Sequence, residues 1–210
     1  MAVVWLHGLG DDGDGWRGAF SPVARALQGN VQFFHPDAPE APVTIQDGEV
    51  TTSWFDLKTW PIDLSEPEGP AGLEDSIKAI HRELEAVEKR GIPAEKTIIG
   101  GFSQGGTLSL LAGLSYPKKL AGIVSISGWA SYRKDMASRV HEANKEVPVF
   151  YSYGVEDPVV DSKLAQASGE ILKAAVGDRV AVLPVRRDDH QPEGSELRAA
   201  MEFMVKRLTE

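Results

Sequence analysis

The stretch that decides the fold runs Thr97-Ile98-Ile99-Gly100-Gly101-Phe102-Ser103-Gln104-Gly105-Gly106. Its first three residues are β-branched and two of them are apolar, which is typical of a buried strand, and the residues after it favour a helix. Between them lies the pattern Gly-x-Ser-x-Gly, centred on Ser103. The stretch therefore predicts a strand, a sharp turn that carries Ser103, and a helix.

Glycine on both sides of Ser103 has a physical reason. A serine on such a turn is strained, and a Cβ at Gly101 or Gly105 would collide with the neighbouring backbone. The turn also directs the N–H of Gln104 and the positive end of the helix at a point where a carbonyl oxygen would gain negative charge. We interpret Ser103 as a nucleophile; the alternative is a tight turn with a solvent-facing serine.

Short apolar runs recur along the chain and alternate with longer amphipathic stretches, a pattern that indicates an α/β fold. Several runs lack alternation, as strands covered on both faces should. We expect a single compact domain over residues 1–210 without a large cap, with a mostly parallel sheet and helices on both faces. The six predicted strands are Val3–Leu6, Val31–His35, Thr97–Gly101, Gly122–Ser127, Val147–Tyr153 and Val180–Val185.

Apolar residues at intervals of three and four predict the helices. One such stripe runs from Leu73 to Val87, and Gly91 is placed to end that helix. The other expected helices lie near Trp16–Leu27, Ser103–Tyr116, Ser131–Asn144, Leu164–Ala175 and Leu197–Leu208.

The segment from Asp37 to Gly72 is rich in proline and glycine, yet it carries too much apolar surface for a linker. Its large apolar residues are Trp54, Phe55, Leu57, Trp60, Ile62 and Leu64. A long aromatic loop inside a compact domain is usually a lid or a binding wall. Each of these side chains could equally complete the core, and the sequence leaves the two alternatives open.

A serine nucleophile needs a base within hydrogen-bond reach and a carboxylate that orients the base. In the α/β-hydrolase fold the chain order is serine, acid, histidine. His190 alone lies beyond the last strand, because the other four histidines precede the serine or fall in predicted helices. Asp157, in the loop after the strand that ends at Tyr153, is the preferred acid. Glu156 and Asp161 are its competitors.

An oxyanion needs a second donor, which we expect from the loop after the first strand. His7-Gly8-Leu9-Gly10 supplies a glycine-rich turn there, and the N–H of Leu9 is the candidate that would act with Gln104. The aspartates that follow do not match a calcium loop, because Trp16 stands where an oxygen ligand is required. We therefore predict no metal.

Composition excludes several classes of function. A net charge of −9 and a pI near 5.1 disfavour nucleic acid and anionic membrane surfaces, which bind clustered Lys and Arg. There is no cysteine, so disulfides and thiolate chemistry are ruled out. The apolar runs are strand-sized and no signal peptide is recognisable, so we expect a cytoplasmic protein without stable membrane insertion. The oligomeric state cannot be deduced.

Blocks along most of the chain resemble the carboxylesterase family that contains acyl-protein thioesterases and lysophospholipases. These blocks are Leu6–Asp11 with Gly15-Trp16, Pro36–Pro39, Pro42–Thr44, Ser53–Asp56, Gly101–Gly106, Ser127–Trp129 and Gly154–Val160. The resemblance implies a hydrolase of esters or thioesters that acts on acylated protein or small lipid and ester substrates, without a cofactor. It implies Ser103, Asp157 and His190 as catalytic triad, with Leu9 and Gln104 as oxyanion donors.

The resemblance also implies that Trp54, Phe55 and the segment around Trp60, Ile62 and Leu64 border an acyl-chain channel. We expect Trp129 in the same role. The sequence departs from the family pattern where Arg186-Arg187-Asp188-Asp189 replaces small or apolar residues before the histidine. The short segment that usually precedes the first strand is also missing, through truncation or natural brevity. An inactive hydrolase fold used for interactions and a peptidase are the alternative functions.

Overall fold

A computed structural model describes all 210 residues and contains a central sheet of six strands. The sheet order is β2-β1-β5-β6-β7-β8, and every neighbouring pair is parallel. The strands in chain order are β1 (Ala2–Leu6), β2 (Gln32–Phe34), β3 (Glu40–Val43), β4 (Glu49–Thr52), β5 (Thr97–Phe102), β6 (Gly122–Ile126), β7 (Val149–Gly154) and β8 (Val180–Val185). The prediction of a mostly parallel sheet is confirmed, and each predicted strand contributes to it.

Helices cover both faces of the sheet, as predicted. The helices are α1 (Ser21–Ala26), α2 (Leu73–Lys89), α3 (Gln104–Ser115), α4 (Met136–Arg139), α5 (Ser162–Val176) and α6 (Gly194–Thr209). Successive residues of β1 point to opposite faces, so that Val4 and Leu6 enter a core with α2 to α5, whereas Val3 and Trp5 enter a core with α1 and α6. Because both faces are covered, all five residues of β1 are buried, which explains the unbroken apolar run.

Two helix predictions are wrong in extent. The helix expected over Trp16–Leu27 is divided into a 3₁₀ turn that ends at Trp16 and α1, which begins beside Pro22, a residue tolerated only in the first turn. Over Ser131–Asn144 only α4 and a 3₁₀ turn at Glu142–Asn144 form. Tyr132 has a positive φ of 54°, and residues 140 and 141 are extended, so helical hydrogen bonding is interrupted on both sides of α4.

The segment from Asp37 to Gly72 is more ordered than a loop. Its first part is an antiparallel hairpin of β3 and β4, which lies outside the main sheet. Its large apolar residues divide into two groups: Trp54, Phe55, Leu57 and Ile62 are buried, whereas Trp60 and Leu64 are 61% and 51% exposed. The segment therefore completes the core and also presents apolar surface to solvent. None of the helices is both long and apolar enough to cross a membrane.

Candidate active site

Ser103 lies on the turn between β5 and α3, with φ 55° and ψ −121°. A Cβ at Gly101 would lie 2.4 Å from the backbone of Gly105, and a Cβ at Gly105 would lie 2.3 Å from the carbonyl oxygen of Leu6. These separations are far inside van der Waals contact, so both positions exclude any side chain. The turn thus holds Ser103 in a conformation that is unusual for a residue other than glycine.

A chain of hydrogen bonds joins the three residues that the sequence singled out. The Oγ of Ser103 lies 2.8 Å from the Nε2 of His190, and the Nδ1 of His190 lies 2.8 Å from Oδ2 and 3.1 Å from Oδ1 of Asp157. The imidazole ring also packs against Phe102, with ring centroids 4.9 Å apart. The arrangement allows the imidazole to accept the serine proton on one nitrogen while the carboxylate orients the other.

The carboxylate of Asp157 is buried and fully engaged. Burial raises its pKa, but the hydrogen bond and charge interaction with His190 and the N–H donors of Val159 and Val160 outweigh that effect and hold the pKa below its ordinary value. The two competing acids have other contacts. Glu156 is exposed and pairs with Arg186, and Asp161 caps the N-terminus of α5.

The loop after β1 lies directly beside the serine. A Cβ at Gly8 would lie 3.5 Å from the Cβ of Ser103. The next residue, Leu9, has an N–H that makes no hydrogen bond within the chain. Gln104 is the first residue of α3, so its N–H precedes the helical ladder. The structure therefore places two backbone donors near Ser103.

His7 holds that loop in place, a role the sequence did not reveal. Its ring is buried, with Nδ1 2.7 Å from the carbonyl oxygen of Gly8 and Nε2 accepting the N–H of Ala38 at 3.0 Å. Because Nε2 is an acceptor, the proton of the neutral ring is on Nδ1 and is donated to Gly8. The histidine excluded as a base on chain order thus braces the backbone that carries Leu9.

The side chain of Gln104 connects α3 to the segment from Asp37 to Gly72. Its Oε1 accepts the N–H of Trp54 at 2.8 Å, and its Nε2 donates to the hydroxyl of Ser53 and the carbonyl of Phe55. The indole N–H of Trp54 in turn donates to the carbonyl of His7 at 2.9 Å. These buried hydrogen bonds fix the segment above the carboxyl ends of β1 and β5.

A cleft of about 710 Å³ opens in front of the serine, a volume within the usual range for small-molecule sites. Half of its lining residues are hydrophobic. The lining comprises Gly8, Leu9, Gly10, Asp11, Ile45, Gln46, Leu57, Trp60, Ile62, Phe102, Ser103, Val159, His190 and Gln191. The cleft can therefore accept an apolar chain next to the hydroxyl of Ser103.

The structure corrects four of the six residues expected along this cleft. Trp60 and Ile62 line it, but Trp54, Phe55, Leu64 and Trp129 do not. Trp54, Phe55 and Trp129 are at most 3% exposed, because they pack into the core with α2 to α5. Leu64 is half exposed outside the cleft.

Sequence reasoning did not assign Ile45, Leu57 and Val159 to the site. Leu57 was noted among the apolar residues of its segment, and Val159 follows the candidate acid by two positions. Ile45 lies in a 3₁₀ turn between β3 and β4, and nothing in the sequence marked it. Distant pairing determines this wall: Ile62 donates its N–H to the carbonyl of Val159 at 2.8 Å, which joins the aromatic segment to the loop of Asp157.

The aspartates after β1 brace their own loop. Asp11 accepts the indole N–H of Trp16, Asp12 accepts the N–H groups of Asp14 and Gly15, and Asp14 pairs with Arg17. No group of three or more His, Asp or Glu side chains is arranged to hold a metal ion.

Comparisons with known sequences cover almost the whole chain. The model of a family described as Phospholipase/Carboxylesterase matches residues 1–208. Acyl-protein thioesterase 1 of Cryptococcus neoformans var. neoformans is 37% identical over 179 residues, covering 83% of this chain and 74% of that protein. Acyl-protein thioesterase 1 of Schizosaccharomyces pombe is 34% identical over 201 residues, covering 96% of this chain and 88% of that protein.

A solved structure is similar over the same extent. The crystal structure of Arabidopsis thaliana SOBER1 matches with a TM-score of 0.92 at 30% sequence identity, and the match covers 99% of each chain. The fold is that of the α/β-hydrolases.

Proposed function

Because the chain belongs to the phospholipase/carboxylesterase family and is a hydrolase of carboxylic esters or thioesters, we propose that it transfers an acyl group to Ser103 and then to water. The hydrogen-bond chain from Ser103 through His190 to Asp157, at the floor of a half-apolar cleft, is the observation that carries the proposal. Its two links are 2.8 Å long, within the range for proton transfer.

In the first step the Oγ of Ser103 attacks the carbonyl carbon, and its proton moves to the Nε2 of His190. The carbonyl oxygen becomes negative and accepts hydrogen bonds from the N–H groups of Leu9 and Gln104, which are rigidly held and need no reorganisation. Asp157 stabilises the imidazolium that forms. When the tetrahedral intermediate collapses, the leaving thiolate or alkoxide takes the proton from His190, and the acyl group remains on Ser103.

In the second step water attacks the acyl-serine. His190 removes a proton from the water and returns it to the Oγ of Ser103 as the carboxylic acid leaves. Each proton that the imidazole accepts is released again, so the site is regenerated without a cofactor.

The walls of the cleft favour an acyl chain as the part of the substrate that is bound. Ile45, Leu57, Ile62 and Val159 supply apolar surface around the serine, and Trp60 extends it toward solvent. Together with the thioesterase names of the relatives, this supports acylated proteins or lysophospholipids as substrates. Both carry an acyl chain on one side of the scissile bond and a polar group on the other.

Labelling by a fluorophosphonate probe tests the nucleophile, since the probe reacts only with an activated serine. Wild type and Ser138→Ala, a control at an exposed serine in α4, should both label and hydrolyse a short p-nitrophenyl ester. Ser103→Ala should not label, and its kcat should fall by several orders of magnitude. Wild-type activity in Ser103→Ala would refute the proposal.

Rates on esters and thioesters from two to sixteen carbons test the substrate class. We expect kcat/KM to rise with chain length, because each buried methylene contributes roughly 0.8 kcal/mol. A maximum at two carbons would exclude acyl chains as the recognised group. Palmitoylated peptide and lysophosphatidylcholine, compared at equal concentration, then distinguish the two natural substrate classes.

A further inference from the structure

Arg187 is buried behind the candidate site, with a side chain only 1% exposed. Arginine is almost never fully buried unless its donors are paired. Its Nη2 donates to the hydroxyl of Ser127 at 2.6 Å, its Nε to Glu196 at 3.1 Å, and its Nη1 to Asp157 at 3.3 Å and to the carbonyl of Asp189. One guanidinium thereby connects the end of β6, the acid loop, the histidine loop and α6.

Two of these contacts reach the residues that activate the serine. The Oδ2 of Asp157 that accepts Arg187 is the oxygen 2.8 Å from the Nδ1 of His190. The hydroxyl of Ser127 that accepts Arg187 lies 3.3 Å from the carbonyl oxygen of His190, to which it donates. Arg187 therefore fixes both the carboxylate and the backbone of the histidine.

A second feature of the fold leaves room for this side chain. Gly154 ends β7, three residues before Asp157, and a Cβ there would lie 2.8 Å from Nη1 and 2.9 Å from Cζ of Arg187. The guanidinium thus occupies space that exists only because residue 154 is glycine. Glu196, which is fully buried in α6, supplies the opposite charge.

We propose that Arg187 is a positioning residue for hydrolysis, which holds Asp157 and the His190 loop in their relative positions. Its positive charge, balanced by Glu196, also limits how strongly Asp157 attracts a proton to His190. The inference rests on the proposed function. In the free enzyme a carboxylate paired with both groups stabilises a protonated imidazole less than a carboxylate paired with the imidazole alone. Changing the Arg187–Glu196 pair should therefore shift the pH dependence of hydrolysis.

Other charged groups around His190 are weaker influences. On its own loop Asp188 and Asp189 are exposed, so solvent screens them. From the acid loop Glu156 is half exposed and pairs with Arg186. From the β1 loop Asp11 lines the cleft and accepts a hydrogen bond from Trp16. None of these groups is buried against Asp157, whereas the Arg187–Glu196 pair is.

Two variants that should shift the pH profile of kcat/KM in opposite directions test the effect of the Arg187 charge. Glu196→Gln keeps an oxygen for Nε and leaves Arg187 unbalanced, so the acidic limb of kcat/KM should move to lower pH by roughly 0.5 to 1 unit. Arg187→Met with Glu196→Gln removes both charges of the pair together, so that neither is left buried without its partner, and its acidic limb should move to higher pH than wild type. Arg186→Met, at the exposed neighbouring arginine, is the control and should match wild type.

Separate kinetic constants test the positioning. Arg187 does not line the cleft, so the double variant should lose roughly tenfold or more in kcat while KM changes little. Arg187→Lys keeps the charge without the planar fork and should lose kcat while its acidic limb stays near that of wild type.

The results separate the two proposals. If wild type neither labels with fluorophosphonate nor hydrolyses esters, the proposed function fails. If wild type is active but the acidic limbs of Glu196→Gln and the double variant superimpose on it, the inference about Arg187 is refuted while the proposed function stands. Lower stability with unchanged pH profiles would make Arg187 a purely structural residue and would equally overturn the inference.

Discussion

Replacing Glu66 with alanine should destabilise the fold and weaken the binding of long acyl chains. Glu66 is 1% exposed, and its carboxylate accepts the N–H of Lys58 at 3.1 Å, the N–H of Thr59 at 2.8 Å and the hydroxyl of Thr59 at 2.7 Å. These contacts close the segment that contains Trp60 and Ile62, which line the cleft.

The magnitude follows from the three hydrogen bonds. A bond to a charged acceptor contributes roughly 1.5–3 kcal/mol, but burial of the carboxylate offsets part of this, and water can reach the freed donors of Lys58 and Thr59. At about 1 kcal/mol for each bond, Glu66→Ala should lower the free energy of unfolding by about 3 kcal/mol. Glu66→Gln keeps one oxygen acceptor and should lose less.

Urea unfolding and ester hydrolysis measure the two effects. The KM for a twelve-carbon p-nitrophenyl ester should rise in Glu66→Ala, whereas the KM for the acetate should change little because it needs only the floor of the cleft. Lys58→Ala, which keeps the backbone donor, is the control in the same segment and should resemble wild type. The reasoning is refuted if Glu66→Ala unfolds within about 0.5 kcal/mol of wild type or raises both KM values equally.

Three further outcomes follow from the geometry. Gly105→Ala should lose activity and about 3 kcal/mol of stability or more, because its Cβ would lie 2.3 Å from a carbonyl oxygen. Gly18→Ala is the control, since a Cβ at Gly18 would meet nothing within 4 Å. Similar urea midpoints for the two variants would contradict this prediction. The pKa of Asp157 is held below 3.8, so its ionised form stabilises the fold above that pH, and this contribution is lost as the pH falls through the lowered value. The difference in unfolding free energy between wild type and Asp157→Asn should therefore shrink below pH 3.8. A constant difference from pH 3 to 7 would contradict this prediction. Trp60→Ala should reduce kcat/KM roughly threefold to tenfold for long acyl esters only, and Val50→Ala, equally exposed but outside the cleft, should change neither long nor short substrates.

Local sequence was sufficient for the sheet and for the turn that carries Ser103. Strands covered on both faces must be continuously apolar, and the tight turn excludes a Cβ at Gly101 and Gly105, so both features are written in neighbouring residues. The order of residues along the sequence then selected His190 and Asp157. In the structure His190 lies within hydrogen-bond distance of Ser103, and Asp157 lies within hydrogen-bond distance of His190.

Local sequence was insufficient where distant residues decide the outcome. Trp54 and Trp129 look like Trp60 in the sequence, yet the first two are buried and Trp60 is exposed at the cleft, because α2 to α5 cover one group and nothing covers the other. The apolar positions around α4 resemble a helix, but Tyr132 with its positive φ interrupts it.

The charged run before His190 shows most clearly the difference between what local sequence predicts and what the tertiary structure decides. The sequence presents Arg186 and Arg187 as equivalent neighbours, and it gives no sign of where either side chain points. In the fold Arg186 is exposed, whereas Arg187 enters the space beside Gly154 and meets Asp157 and Glu196. The sequence determined the strands, the turn and the candidate nucleophile, because these depend on neighbouring residues. Only the tertiary structure decided which side chains form the cleft and which charge stands behind the acid, because burial and pairing depend on elements far apart in the chain.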